Sequence, residues 1–234
     1  MKKIVIIISS VIALYTVIPT LLVKFFSVGV HKKGNKSDAV ALTFDDGPNP
    51  RFTPQLLDLL GEHQIKATFF VVGAKAKEFP EILERISEEG HEIGVHNFEH
   101  TSNWLLSPSA YQRNLTKSIE TINGITGKKP IYYRPPWGHF NFVTLFFRQN
   151  LKVIMWSHIS QDWKLTSEME LYGKLEGVDK TGDFILLHDC GETLGADQEA
   201  PAVMLSALER FIIEMKAKDV QFSTVASLLE MKNA

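Results

Sequence analysis

Over residues 38–234 short apolar runs alternate with longer amphipathic ones, and nothing else in the sequence narrows the possible folds as much. Seven runs are short and rich in β-branched and aromatic residues, as strands are: Ala39–Phe44, Ala67–Val72, Glu92–Val95, Ile131–Tyr133, Lys152–Trp156, Phe184–Leu187 and Gln221–Ser223. Helical stretches are expected at roughly 53–62, 78–89, 108–124, 141–149, 168–177, 200–218 and 224–232. Within 200–218, Val203, Met204, Ala207, Leu208, Phe211, Ile212 and Met215 recur at three- and four-residue spacing, a pattern that buries one face of a helix. Such alternation predicts a parallel α/β architecture, either a barrel or an open doubly wound sheet. Seven strands fall short of the closed eight-stranded form, which favours a distorted, incomplete (β/α) barrel. In that architecture functional side chains collect at the carboxyl ends of the strands.

No internal repeat, low-complexity stretch or second linker interrupts 38–234, so it reads as one domain. Ahead of it, Ile4–Val23 is a run of 20 residues without a charge. At about 1.5 Å per residue a helix of that length crosses a hydrocarbon core of roughly 30 Å. Lys2 and Lys3 precede the run, and Lys24, Lys32, Lys33 and Lys36 follow it. It exceeds the usual signal-peptide core of about 7–15 residues, and no clear small-x-small cleavage site follows. Residues 1–24 are therefore expected to be one transmembrane anchor, with cleavage and secretion as the alternative, and 25–37 a basic polar linker. Lysines on both flanks leave the orientation open.

The charge is divided accordingly. Residues 1–37 hold six lysines and no acid, so the remainder carries 19 basic against 27 acidic side chains, a net of -8. A domain that acidic lacks the basic footprint of a nucleic-acid binder. A single cysteine, Cys190, excludes a disulfide framework and a Cys-cluster zinc site.

The strand ends carry the chemistry. After the first run stand Asp45, Asp46, Gly47 and Pro48, which by themselves could be only a turn. After the third come His96 and His100, two imidazoles at a spacing suited to one divalent cation. Arg134-Pro135-Pro136-Trp137-Gly138 follows the fourth, Gln161-Asp162-Trp163 the fifth and His188-Asp189 the sixth.

In these motifs, TFDDGP at 43–48, HNFEH at 96–100, RPPWG at 134–138, QDW at 161–163 and LLHD at 186–189, the chain resembles the polysaccharide deacetylases with a NodB-type domain, carbohydrate esterase family four. The resemblance spans essentially all of 38–234 and implies a distorted (β/α) barrel. It further implies that Asp46, His96 and His100 bind one divalent metal, zinc first, with cobalt or nickel also suited to two imidazoles and a carboxylate. By the same resemblance Asp45 is the base that takes a proton from water, and the metal lowers that water's pKa. The Trp137 amide would help hold the oxyanion, since Pro135 and Pro136 have no N–H. His188 would protonate the departing amine, Arg134 would orient Asp45, and Asp162 would pair with His188 and raise its pKa. Trp163 and Leu186 would line the pocket for the acetyl methyl. The implied reaction removes N-acetyl groups from N-acetylhexosamine units of an envelope glycan (peptidoglycan, chitin-like or poly-N-acetylglucosamine), releasing acetate. A monomer, single-pass in the cell membrane with its catalytic domain outside, is expected.

Three departures from the family pattern stand out. Asn97 replaces the usual Ser or Thr after the first histidine, predicting a reshaped loop with an intact metal site. Ile159 and Ser160 supply no extra acid before Asp162, and Trp137 stands where Tyr is usual. Competing readings are a degenerate domain that binds glycan without cleaving it, the same chemistry on acetylxylan, and a metalloprotease in which His96–His100 is an H-x-x-E-H motif with Glu99 as base.

Overall fold

The computed structural model describes residues 2–35, 38–178 and 181–230. Met1, Lys36 and Ser37 of the expected anchor and linker, and residues 231–232 of the last expected helix, lie outside them. An apolar N-terminal helix runs Lys2–Phe26, as α1 (Lys2–Ile12), a π-helical stretch (Ala13–Val17) and α2 (Ile18–Phe26). It is long and apolar enough to cross a membrane. Then follow β1 (Val30–His31), β2 (Ala39–Asp45), α3 (Phe52–Glu62), β3 (Thr68–Val71), α4 (Gly73–Glu78), α5 (Pro80–Glu88), β4 (Glu92–Val95) and α6 (Pro108–Thr126). The second half holds β5 (Tyr132–Tyr133), α7 (Phe142–Phe146), β6 (Lys152–Ile154), β7 (His158–Ile159), α8 (Glu168–Glu176), β8 (Phe184–His188), α9 (Ala200–Ala217), β9 (Gln221–Phe222) and α10 (Val225–Glu230).

The strands form one parallel sheet in the order β1-β6-β5-β4-β3-β2-β8-β7, and β9 pairs with the beginning of β2. This is the expected incomplete barrel, open between the edge strands β1 and β7. All seven expected strands are present, and two more, β1 and β7, are only two residues long, too short to show a period. β1 lies inside the stretch read as linker, so sheet pairing starts at Val30, ahead of Asp38. Beyond β1 the chain crosses to the foot of β8, where Lys33 bridges Asp183 and the Gly34 N–H donates to the Gly182 carbonyl at 2.8 Å. The expected 78–89 helix is α5, which begins at Pro80; an unexpected short helix, α4, precedes it, and the two are separated at Phe79 because the residue before a proline is driven out of the helical region.

Period-two alternation explains how the sheet aims its chemistry. β2 is buried along its whole length, as a strand covered on both faces must be. Val40, Leu42 and Phe44 face the large core shared with the helices, while Ala39 and Ala41 join Phe70, Tyr132, Ile154 and Phe184 in a smaller cluster within the curl. The inward register of β2 therefore continues to Thr43 and Asp45. On the neighbouring strand Thr43 pairs with Leu186 and Asp45 with His188.

Candidate active site

Five loops and strand ends meet around a cavity of about 290 Å³ lined by Asp45, Asp46, His96, His100, Trp137, Trp163, Leu186 and His188, among others. Eight of the ten site residues expected from sequence thus face one space. The other two, Arg134 and Asp162, lie fully buried behind its walls.

Several turns that aim these groups use backbone rarely tolerated outside glycine. Asp46, Asn97, His100, Trp137 and Gln161 all have positive φ, at 78°, 61°, 46°, 54° and 61°. Strain of this kind persists only where the surrounding structure over-determines it. Gly47 is required for a different reason: a Cβ there would lie 2.3 Å from Asp189 Oδ2, inside van der Waals contact.

One corner of the cavity gathers potential metal ligands. Asp46, His96 and His100 each offer a ligand atom, all within 4.8 Å of one another. The His96 Nδ1–H lies 2.7 Å from the Arg134 carbonyl, which orients the ring with Nε2 towards Asp46. Asp46 Oδ1 is 2.9 Å from His100 Nε2 and 3.3 Å from His96 Nε2, yet it is buried without a well-directed hydrogen bond. Burial alone would raise the Asp46 carboxyl, but the two imidazoles hold it well below the usual carboxylate range. Burial pulls His100 down, favouring the neutral imidazole that a metal needs. An orphaned carboxylate oxygen facing two imidazole nitrogens fits a divalent cation. Asp46 Oδ2 is held from behind by the Thr193 hydroxyl at 2.6 Å.

On one wall Asp45 accepts from Arg134 Nη1 at 2.7 Å, and the same nitrogen reaches Thr43 Oγ1 at 2.9 Å. Arg134 also donates to the Ile154 and Met155 carbonyls, at 3.1 and 3.0 Å, and packs over the Phe70 ring. On the neighbouring strand His188 Nδ1 lies 3.0 Å from Asp162 Oδ1, and the His188 N–H donates to Asp162 Oδ2 at 2.6 Å. Burial pulls the His188 imidazole down, but the Asp162 carboxylate, with Asp46 and Asp45 further off, carries it up to about 9. Trp163 stands edge-on to His188 with ring centroids 5.3 Å apart.

The departures in the motifs have local explanations. Asn97 donates to the Thr101 carbonyl and to Asn103, and accepts from the Tyr133 hydroxyl at 2.9 Å, bracing the loop that carries both histidines. Ser160 donates to Asp162 Oδ1 at 3.2 Å, and Ile159 lines the cavity. The loop after β8, Thr193–Ala196, also lines it and was not recognised from sequence, although a glycine-bearing loop after a site-bearing strand was a usable signal. His96–His100 is not helical, and Glu99 is exposed outside the cavity, so the H-x-x-E-H protease geometry is not formed.

The polysaccharide deacetylase family profile matches residues 32–155, more than half of the chain. A peptidoglycan-N-acetylglucosamine deacetylase of Bacillus cereus is 36% identical over 198 residues, covering 84% of this chain and 70% of its own. A crystal structure of a peptidoglycan N-acetylglucosamine deacetylase with a bound N-hydroxybenzamide superimposes with a TM-score of 0.81 at 32% identity, over 90% of this chain and 97% of that one. A mutant of a family-four pseudoenzyme with restored activity superimposes with a TM-score of 0.78 at 25% identity, over 88% of this chain and 73% of that one. The chain belongs to the polysaccharide deacetylase family of hydrolases, and its curled parallel sheet is that family's fold.

Proposed function

We propose that the protein is a metal-dependent N-deacetylase acting on N-acetylhexosamine units of a cell-envelope polysaccharide. One observation carries the reading: the Asp46, His96 and His100 donor set shares one cavity with an arginine-backed carboxylate, Asp45, and a carboxylate-backed imidazole, His188. The names of the relatives point to peptidoglycan first.

Asp46, His96 and His100 would hold a divalent cation, zinc or in its place cobalt or nickel. Once bound, it supplies Lewis-acid polarisation of the acetyl carbonyl and acidifies a water. Asp45, fixed by Arg134, takes the proton of the attacking water as its oxygen bonds to the carbonyl carbon. The Trp137 amide faces the oxygen that becomes negative. His188, kept protonated by Asp162, gives its proton to the nitrogen as the C–N bond breaks, so the products are acetate and an amino sugar. Trp163 and Leu186 flank the acetyl methyl. Residues 1–24 anchor the chain in the membrane, and the catalytic domain works on its outer side.

The pseudoenzyme relative keeps a glycan-binding role in play as the second reading. Acetate release from peptidoglycan, chitin oligomers, poly-N-acetylglucosamine and acetylxylan, with and without chelator, separates the two. Chelator-sensitive release from an N-acetylated glycan is expected; binding without release from any of them would favour the second reading.

A further inference from the structure

The N-terminal helix is docked along half of its length. Thr16, Pro19 and Val23 are buried against the domain, the Tyr15 hydroxyl donates to the Leu106 carbonyl at 2.9 Å, and Thr20 Oγ1 accepts from Trp104 Nε1 at 2.9 Å. The opposite stripe, Leu14, Val17, Ile18, Leu21 and Leu22, is exposed. Residues 2–14, clear of the domain, make a rod of about 20 Å, short of a hydrocarbon core of roughly 30 Å. A docked helix can therefore span only if the domain face beside its second half enters the bilayer by about 10 Å, a depth typical of interfacial proteins.

That face is built for it. Leu105, Phe146 and Phe147 are 80%, 62% and 58% exposed, and Phe142 is half exposed. A groove lined by Tyr15, Phe142, Val143 and Phe147 joins the helix to α7 without a break. Lys24, Lys32, Arg148 and Lys152 cluster nearby, with Lys32 donating to the Lys24 carbonyl and Arg148 to that of Gly29. The charge of the whole chain is divided the same way. Residues 1–37 and 100–161 carry 13 Lys and Arg against one acid, Glu120, whereas the rest carries 12 against 26.

We infer that the catalytic domain itself sits in the outer face of an anionic bilayer through Leu105, Phe142, Phe146 and Phe147 alongside the exposed stripe of the helix. The basic cluster lies at headgroup level, and the acidic half points away from the lipid. Because Trp104 stacks on His139 at 4.0 Å and Trp137 meets His100 edge-on at 4.4 Å, the cavity lies one aromatic row from the helix. The glycan within reach is accordingly the portion next to the membrane.

The inference rests on reading the helix as membrane-embedded, and one experiment separates the two. The full chain carries a fluorophore on a cysteine placed by Phe146→Cys, Ile12→Cys or Ile213→Cys, and is reconstituted in phosphatidylcholine–phosphatidylglycerol vesicles containing nitroxide lipids. Cys190 is buried and stays unlabelled. Ile213 is exposed on α9 in the acidic half. Quenching at 146 close to that at 12, and about threefold or more above that at 213, is expected. Flotation with 12 quenched and 146 not would overturn this inference alone, and failure to float would overturn both. Phe146→Cys chains that cross-link to one another while nitroxide leaves their label untouched would point to a second copy on this face and overturn it as well.

Discussion

Asp45 and His188 stand opposite each other on neighbouring strands, each backed by a buried group of opposite charge, and the two backings are built differently. Arg134 is tied down independently of its partner, by Thr43 and by the carbonyls of Ile154 and Met155. Asp162 is held largely by the residue it serves, through the His188 N–H and Nδ1, with Ser160 in support. The first arrangement holds a carboxylate in place against a fixed cation; the second raises the pKa of an imidazole. Under the proposed function, directly paired strands would present a proton acceptor and a proton donor to the same space, the division of labour that amide hydrolysis needs because amines leave poorly unless protonated.

The largest effect is expected from removing the Asp45 carboxylate alone. Asp45→Asn is expected to lower kcat for acetate release by about 10²–10⁴-fold while metal content, read by atomic absorption, is unchanged. His96→Ala should lose metal and activity together; full activity in Asp45→Asn would remove Asp45 from the mechanism. Next in size is Arg134→Met, which strands a buried carboxylate and is expected to cost about 3–5 kcal/mol of folding stability in urea titrations. A loss under about 1 kcal/mol would mean that Asp45 does not depend on it.

Thr193→Val probes the Asp46 side of the candidate metal corner. Loss of the hydroxyl that holds Asp46 should weaken metal binding by about 10–100-fold, read by competition with a chromophoric chelator. Activity at saturating metal should change far less. The smallest expected effect is a displaced pH limb. Because the folded pKa of His188 is raised to about 9, activity that needs its proton should hold at neutral pH and fall as pH rises through about 9. The stability contributed by the His188–Asp162 pair has the same sign: fully present below the ordinary imidazole value of 6.5 and lost through about 9. Asp162→Asn should move the alkaline limb of kcat to lower pH; an unmoved limb would assign it to another group.

Much of this site was readable before any coordinates. The motifs at 43–48, 96–100, 134–138, 161–163 and 186–189 each follow a strand, and parallel β/α topology brings strand ends together whatever their separation in sequence. Asn97 was expected to reshape its loop and leave the metal site intact; its amide donates to the Thr101 carbonyl and to Asn103 Oδ1 within that loop. β1 and β7 were not readable, since two residues carry no period. Nor was Thr193, which reaches Asp46 from 147 residues away.

Local pattern specifies the parallel α/β class, the side chains at the strand ends and the apolar N-terminal run, because alternation, turn residues and charge are written within a few neighbouring positions. Long-range packing is what places Arg134 and Asp162 behind the cavity, residues 30–35 in the barrel, and the N-terminal helix against the loops beside the site. Those outcomes depend on contacts between residues as far apart as Tyr15 and Leu106, or Thr20 and Phe140, separated by 91 and 120 positions. Such pairs meet only when all the intervening elements have packed, so no local pattern can announce them.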